Sequence, residues 1–583
     1  MDYSKIQQKP QQNLNAKVKI DLALINKNIS ATSISNGDEE LYKNNAAAPY
    51  AGSFHKLLPH DLVTGQLTSV GKTFYEQLLT ALSTGKQSDF DAIVLFDNTK
   101  DQLADPQASL NYCLIGLDNS SVASPTPPAI SSPAAAAEMV ELYCQEYTRD
   151  VPFINYSTDA NIATVLDVNH MNKPDFLANF NGPTSGGNVT VHTLFRGNAH
   201  GTTEGPYLSQ FLVYDIPYGA QTIRQKYTVP KDKVLYNSGD PSTDPTNPVS
   251  SPVDFGVDLA GMINIQNEAI DNVFNISDNR FQSDPKFLYR GRCLGEAVHN
   301  DQLYQFYYNA AMILNNLGCP IDPGFVSGPN EKSFTSFGGP ADILHHLADI
   351  AGYALKHAWY HKWQVHRKIR PEAMSILVHN QKNSVNDFNF IDNVLINNQI
   401  LDDIETLHQD YYNVSGSYLL SQEFPEGSPT HPSNPAGHYF GGHCMVTLLK
   451  CMFKCDILWK DLPRIADNTK RVSNEANTAT FIVGQANIDG TDLINYSGSI
   501  DNITINSELN KLASNVALGR DTAGVHYRSD GDGAELLRAA EDVTIAYVKN
   551  ILSTYTQTYD GNVPVLTLER FDGTTITISP DLN

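Results

Sequence analysis

Apolar positions in the second half of the chain recur with the period of a helix. From Pro340 to about Arg367 they form a stripe of Ile343, Leu347, Ala351, Ala354, Leu355, Ala358 and Trp359. Gly338 and Gly339 lead into Pro340, which fits the first helical position because its missing N–H costs nothing there. The same reading predicts helices over Glu296–Leu317, His438–Phe453 and Ala534–Tyr555, and one near Ala137–Tyr147 after the Pro/Ser/Ala-rich run Asn119–Met139. A second proline-rich loop runs from Ser238 to Gly256, and the first ~50 residues are polar and weakly periodic. At the C-terminus the period changes to two. VPVLTLERF, Asp572-Gly573 and TTITIS read as a β-hairpin. The expected class is mainly α, built from helical bundles with a small C-terminal β-hairpin. Three regions are expected: residues 1–290, helical and loop; 291–560, a helical bundle; and 561–583, the hairpin, with one continuous domain as the alternative.

Composition narrows the functions. The 583 residues are 41% hydrophobic and 18% charged, as in a globular chain with a real core. The net charge of −24 repels nucleic acid and anionic membranes, so neither is an expected partner. It repels small anions too, so any anion site must be a local cluster of cations. No apolar run reaches the length of a membrane span. The N-terminal MDYSKIQQKPQQNLNAK lacks the apolar core of a secretory leader, which favours a cytoplasmic location. Seven scattered cysteines show no zinc-type spacing, and Cys451 and Cys455 read as buried free thiols.

Three segments concentrate cations and histidines. In KWQVHRKIRP, Lys362 continues the apolar stripe, where a lysine either snorkels or meets an anion, and Arg370 precedes Pro371, which biases it out of the helix. The charges alone also read as a salt-bridge face. In HPSNPAGHYFGGH, Gly437 and His438 open a helix whose free N–H groups and dipole favour an anion; taken alone, the segment reads more readily as an ordinary loop before a helix. In GRDTAGVHYRSD, His526 and Asp530 stand at i and i+4, on one face if the segment is helical. There Asp530 either orients His526 as a metal ligand or caps the following helix. Asp530-Gly-Asp532-Gly533 fails as a calcium loop because Ala534 and Glu535 follow.

Taken in order, these motifs resemble the oxyanion signature of vanadium-dependent haloperoxidases, above all bromoperoxidases of the algal and cyanobacterial group. SFHKLLPHD (53–61), LFRGNAHGTTEGPYLSQFL (194–212), PYGAQ (217–221), VHNDQLYQFYYNA (298–310) and FGGPADIL (337–344) extend the resemblance over most of the chain from about residue 35. It implies the helical-bundle fold shared by these enzymes and type-2 acid phosphatases. It implies vanadate on His526 as axial ligand, with Lys362, Arg370, Arg520 and the Gly437 N–H around its oxygens. His438 would be the acid–base residue, and Lys362 would draw electron density from the activated peroxide oxygen. His431, where fungal chloroperoxidases carry an aromatic residue, implies bromide or iodide rather than chloride. Asp301 would pair with Arg520. Ala436 stands where the family commonly has serine, which implies weaker vanadate binding. The implied partners are hydrogen peroxide, halide and small organic acceptors, in a homo-oligomer between dimer and dodecamer. Phosphate could occupy the same cage, and a structural calcium is compatible with the resemblance, with no assignable ligands. A phosphatase using His526 as nucleophile is the alternative, and an inactive structural homologue is a further one.

Overall fold

A computed structural model describes residues 33–111, 113, 117–238, 240, 243, 253–268, 280–299, 301–325, 330–555 and 564–580. The helices that carry the argument are α1 (Ser69–Thr84), α2 (Pro133–Thr148), α3 (Gly291–Ala297), α4 (Gln305–Leu317), α5 (Pro340–Tyr360), α6 (Pro371–Lys382), α7 (Ile400–Tyr412), α8 (Gly437–Met452), α9 (Ile505–Thr522) and α10 (Ala534–Tyr555). Strands among the described residues form only two-stranded antiparallel pairs. The last is the C-terminal hairpin, Leu566–Glu569 on Thr575–Ile578, with Leu566 opposite Ile578. Leu566, Leu568 and Ile578 are buried, so the alternation that predicts the hairpin also docks it. The class is mainly α, as expected.

At the centre, α8 packs against α5, α9 and α10, and α9 packs against α3. One connected apolar core runs from Ala48 to Ile578. No apolar stripe announces α9, because it is buried on every side and carries many polar side chains. A capping box opens it, with Thr504 Oγ accepting from Ser507 N and Ser507 Oγ from Thr504 N. Lys511 bonds Glu508 at 2.6 Å, and Asn515 accepts from Ser209 N at 2.8 Å.

Several expected boundaries move. The helix expected near Ala137 starts at Pro133, capped by the Ser132 hydroxyl. The expected Glu296–Leu317 helix is two helices, α3 and α4, interrupted around residues 298–304. Side-chain contacts outweigh the apolar period there: Val298 O accepts from Arg520, and Asp301 accepts from His438. The expected helix to Arg367 ends as α at Tyr360 and continues as one π-helical turn, His361–His366, with Arg367 at φ 40°. Segment 523–533 is not an α-helix. It holds a single 3₁₀ turn, Arg528–Asp530. The 238–256 loop and the first 32 residues fall largely outside the described residues. All seven cysteines are free and buried. No helix among the described residues is long and apolar enough to cross a membrane.

Candidate oxyanion-binding site

The site is assembled where α5, α6, α8 and α9 end or begin. The π-helical turn after α5 is a local over-count of residues, a device common at functional positions. It carries Lys362, fully buried, whose Nζ donates to Pro432 O at 2.6 Å and Ser433 O at 2.8 Å. Arg370 is the extended N-cap of α6, as the following proline requires. Its guanidinium donates from Nε to His431 O (2.9 Å), from Nη1 to Val525 O (2.7 Å) and from Nη2 to His431 Nδ1 (2.8 Å). Nη1 also lies 3.0 Å from His526 Nε2. Lys362 and Arg370 therefore converge on one loop, residues 431–433, and Arg370 links it to His526.

His526 is buried, and its Nδ1 lies 2.9 Å from Asp530 Oδ2. The i, i+4 pair forms without an α-helix, because the 3₁₀ turn closes the same distance. Asp530 Oδ2 also accepts from Tyr527 N at 3.1 Å and from the Ser433 hydroxyl. Of the two roles read from the sequence, Asp530 takes the first, holding the imidazole; its other bonds go to the preceding turn and to Ser433, and not to the helix that follows. Burial opposes its charge, but the Lys368 ammonium 3.1 Å away and His526 hold it ionised far below the usual carboxylate range. An anionic partner on Nδ1 fixes the proton there and leaves the Nε2 lone pair to face the cage.

Gly437 is the first residue of α8 and Ala436 its N-cap, with no side-chain cap. The first-turn N–H groups there have no intrahelical acceptors. Ala436 N donates to Asp530 O at 2.8 Å, tying this helix start to the His526 segment. Trp359 forms the wall beside it. A Cβ on Gly437 would meet its ring at 3.6 Å, its centroid is 4.7 Å from that of His431, and Lys362 Nζ lies 5.8 Å from it.

The opposite side is more open. His438 is partly exposed and bonds Asp301 Oδ1 through Nε2 at 2.8 Å. The expected Asp301–Arg520 pair is replaced by this one. Arg520 reaches Val298 O instead (2.8 Å) and lies over the Phe424 ring at 5.1 Å. Sequence spacing could not choose between two cations for one carboxylate.

Electrostatics give the site its character. Burial, then repulsion by Arg370, pulls Lys362 well below the ordinary lysine range. Burial likewise lowers Arg370, to about 9, and lowers Arg520. Burial, then Arg370, pushes His526 well below its usual range, so the ring is neutral. His431 is lowered by burial and then by Lys362 and Arg370. A guanidinium does not surrender its proton at neutral pH, so both arginines stay charged although burial opposes that charge. Three residues that touch this cluster went unassigned in the sequence: Ser433, Lys368 and Trp359. All lie inside or beside the motifs, but nothing in their spacing separates them from their neighbours.

The fold is mainly helical, and its buried cations beside a helix start form a candidate oxyanion site. No family model matches the chain. It is 28% identical over 607 residues to the vanadium-dependent bromoperoxidase of Corallina pilulifera, covering 94% of each chain, and 28% identical over 530 residues to that of Ascophyllum nodosum, covering 88% and 85%. Its fold matches the homohexameric second vanadate-dependent bromoperoxidase of Ascophyllum nodosum with a TM-score of 0.79 at 25% identity, over 98% of this chain and 91% of that one. In sequence and in fold the chain is similar to vanadium-dependent bromoperoxidases.

Proposed function

We propose that the chain oxidises bromide or iodide with hydrogen peroxide and bound vanadate, releasing hypohalous acid that halogenates small organic acceptors. One observation carries this reading. Lys362, Arg370 and Arg520 are buried beside a helix start and a neutral histidine, and none of the three has a carboxylate within ion-pair distance among the described residues. Such a cage fits a tetrahedral oxyanion that brings its own charge and accepts charge-assisted hydrogen bonds. Vanadate, when bound, supplies a Lewis-acidic centre that makes peroxide electrophilic without changing its own oxidation state.

The chain's residues would divide the work as follows. His526, kept in one tautomer by Asp530, would hold vanadate through Nε2. Lys362, Arg370, Arg520 and the Gly437 N–H would donate to its oxygens, and the Lys362 ammonium would add electron-withdrawing charge at the site. His438 accepts a proton from hydrogen peroxide, and Asp301 stabilises the imidazolium that results. The net change is peroxide, halide and one proton to hypohalous acid and water. His431, anchored by Arg370, biases the site toward bromide and iodide. Assembly into a homo-oligomer is expected from the hexameric relative.

The test is a halogenation assay on metal-stripped protein reloaded with orthovanadate. A dione reporter follows turnover with peroxide and iodide, bromide or chloride. Vanadate-dependent bromide turnover, abolished in His526→Ala, supports the reading. Aryl-phosphate hydrolysis without vanadate, inhibited when vanadate is added, and no halide turnover would replace it with a phosphatase.

A further inference from the structure

We propose that His345, His346 and Asp349, on α5, form a binding site for a divalent transition-metal ion of the zinc class. The site is separate from the oxyanion cage and does not depend on the activity proposed above. One ligand atom from each of the three residues lies within 4.8 Å of the other two. A tetrahedral ion with bonds of about 2.1 Å needs donors roughly 3.4 Å apart, so modest side-chain rotation closes the set. The exposed members are free to make it: His345 is 66% and Asp349 41% exposed at the side chain, and His345 Nε2 already lies 3.6 Å from Asp349 Oδ2. His345 and Asp349 have the i, i+4 spacing that puts two ligands on one helix face.

His346 gives the set its pre-organisation. Its Nε2 lies 3.2 Å from Asp342 Oδ1, and Asp342 is itself fixed by the Gly338 N–H (3.0 Å) and the Tyr555 hydroxyl (3.1 Å). A carboxylate that takes the Nε2 proton leaves the Nδ1 lone pair as the donor, the arrangement that orients metal-binding imidazoles. That Nδ1 lies 2.8 Å from the Tyr547 hydroxyl of α10, which donates to Asp349 Oδ2 at 3.1 Å, so in the metal-free chain Nδ1 donates to Tyr547 and it becomes a ligand only by giving that proton up to the incoming ion. Tyr547 therefore stands between two of the three donors. A role in anchoring α5 to α10 explains His346, Asp342 and Tyr547. It explains Asp349 in part, through the Tyr547 hydroxyl, and leaves the exposed His345, 3.6 Å from Asp349, without a structural partner of its own on α10. Two imidazoles select zinc, copper, nickel or cobalt over calcium and magnesium, which take oxygen. The net charge of −24 raises the local concentration of any cation.

The experiment is calorimetric titration of the chelator-stripped full chain with Zn2+, with Co2+ absorption as the spectroscopic readout. The expected result is one site per chain, with affinity more than about 100-fold weaker in the His345→Ala, Asp349→Asn double variant. Asp342→Asn, which keeps the fold-supporting hydrogen bonds but not the charge behind His346, should weaken binding about 10- to 100-fold. Zinc binding identical in the double variant, or no binding below millimolar Zn2+ in the unaltered chain, would overturn the proposal.

Discussion

Two buried cation clusters flank α9, and they are built on opposite rules. Where α2 ends and α3 begins, Arg149 meets Asp254 at 2.7 Å, and Arg292 meets Asp150 at 2.6 Å and Asp254 at 2.8 Å. Tyr412, on α7, donates to the second oxygen of Asp254. Burial works against the charge on Arg292, but Asp150 and Asp254 raise it well above the usual arginine range. In the oxyanion cage burial is as deep, yet the partners of Lys362 and Arg370 are carbonyl oxygens and imidazole nitrogens, and both cations are shifted down. A cluster that supplies its own counter-charges is a brace. One that leaves them out is, on the function proposed above, a receptor whose missing charge a ligand supplies.

The comparison breaks most sharply on paired substitutions. Arg292→Met removes the main partner of Asp150 and one of the two arginines on Asp254, and should cost about 3 kcal/mol of stability. Lys362→Met removes a buried cation that no carboxylate compensates, so the vanadate-free protein should change by less than about 1 kcal/mol. Chemical denaturation measures both. Equal losses would mean that the cage cations are structural. Next in size is the open side of the site. Asp301→Asn keeps a hydrogen-bond acceptor for His438 but removes the charge that stabilises its protonated form. Peroxide-dependent turnover should fall about 100-fold while vanadate affinity holds. A loss of vanadate affinity instead would make Asp301 part of the cage.

The cage was far more legible in the sequence than its surroundings. Lys362, Arg370, Gly437, His438, Arg520 and His526 are picked out because three short motifs, taken in order, resemble the oxyanion signature of the haloperoxidases, and the structure brings their segments together at the helix ends described above. The apolar period gave α5, α8 and α10 because each has a distinct buried face. It missed α9, whose buried Asn, Glu, Lys and Arg side chains find partners only after other segments fold around them. It ran α3 into α4, because the break is set by Arg520 and His438, which lie more than a hundred residues further along. The π-turn at Lys362 was equally hidden, since one residue of over-count leaves the apolar stripe intact.

The missing counter-charge also fixes the sign of a pH effect. Without an anion, burial lowers Lys362 well below its ordinary range, whereas a bound oxyanion holds it charged. Above the lowered pKa, binding must therefore take up one proton, and affinity should fall by about tenfold per pH unit as pH rises. Vanadate titrates as well, so the quantity to measure is the difference between the unaltered chain and Lys362→Met. The variant should lack this alkaline limb. Parallel profiles would show that Lys362 stays charged without a ligand.

The smallest effect concerns the methyl group at Ala436. It is fully buried and packs with Tyr439, Ala517 and Leu518, and its backbone, at φ −71° and ψ 134°, suits a helix N-cap. In Ala436→Ser the new hydroxyl has two uses. Directed at a vanadate oxygen, it adds a hydrogen bond to a charged group, worth about 1.5 kcal/mol and so roughly tenfold in affinity. Directed at the first-turn N–H groups, it caps α8, adds about 1 kcal/mol of stability, and competes with the oxyanion for the same donors. The expected outcome is the first: tighter vanadate binding with little change in vanadate-free stability, read from vanadate titration beside thermal melting. Higher stability with unchanged or weaker binding would identify the serine as a cap. In that case alanine at this position would keep the helix start free for the anion, and it would complete the cage rather than weaken it.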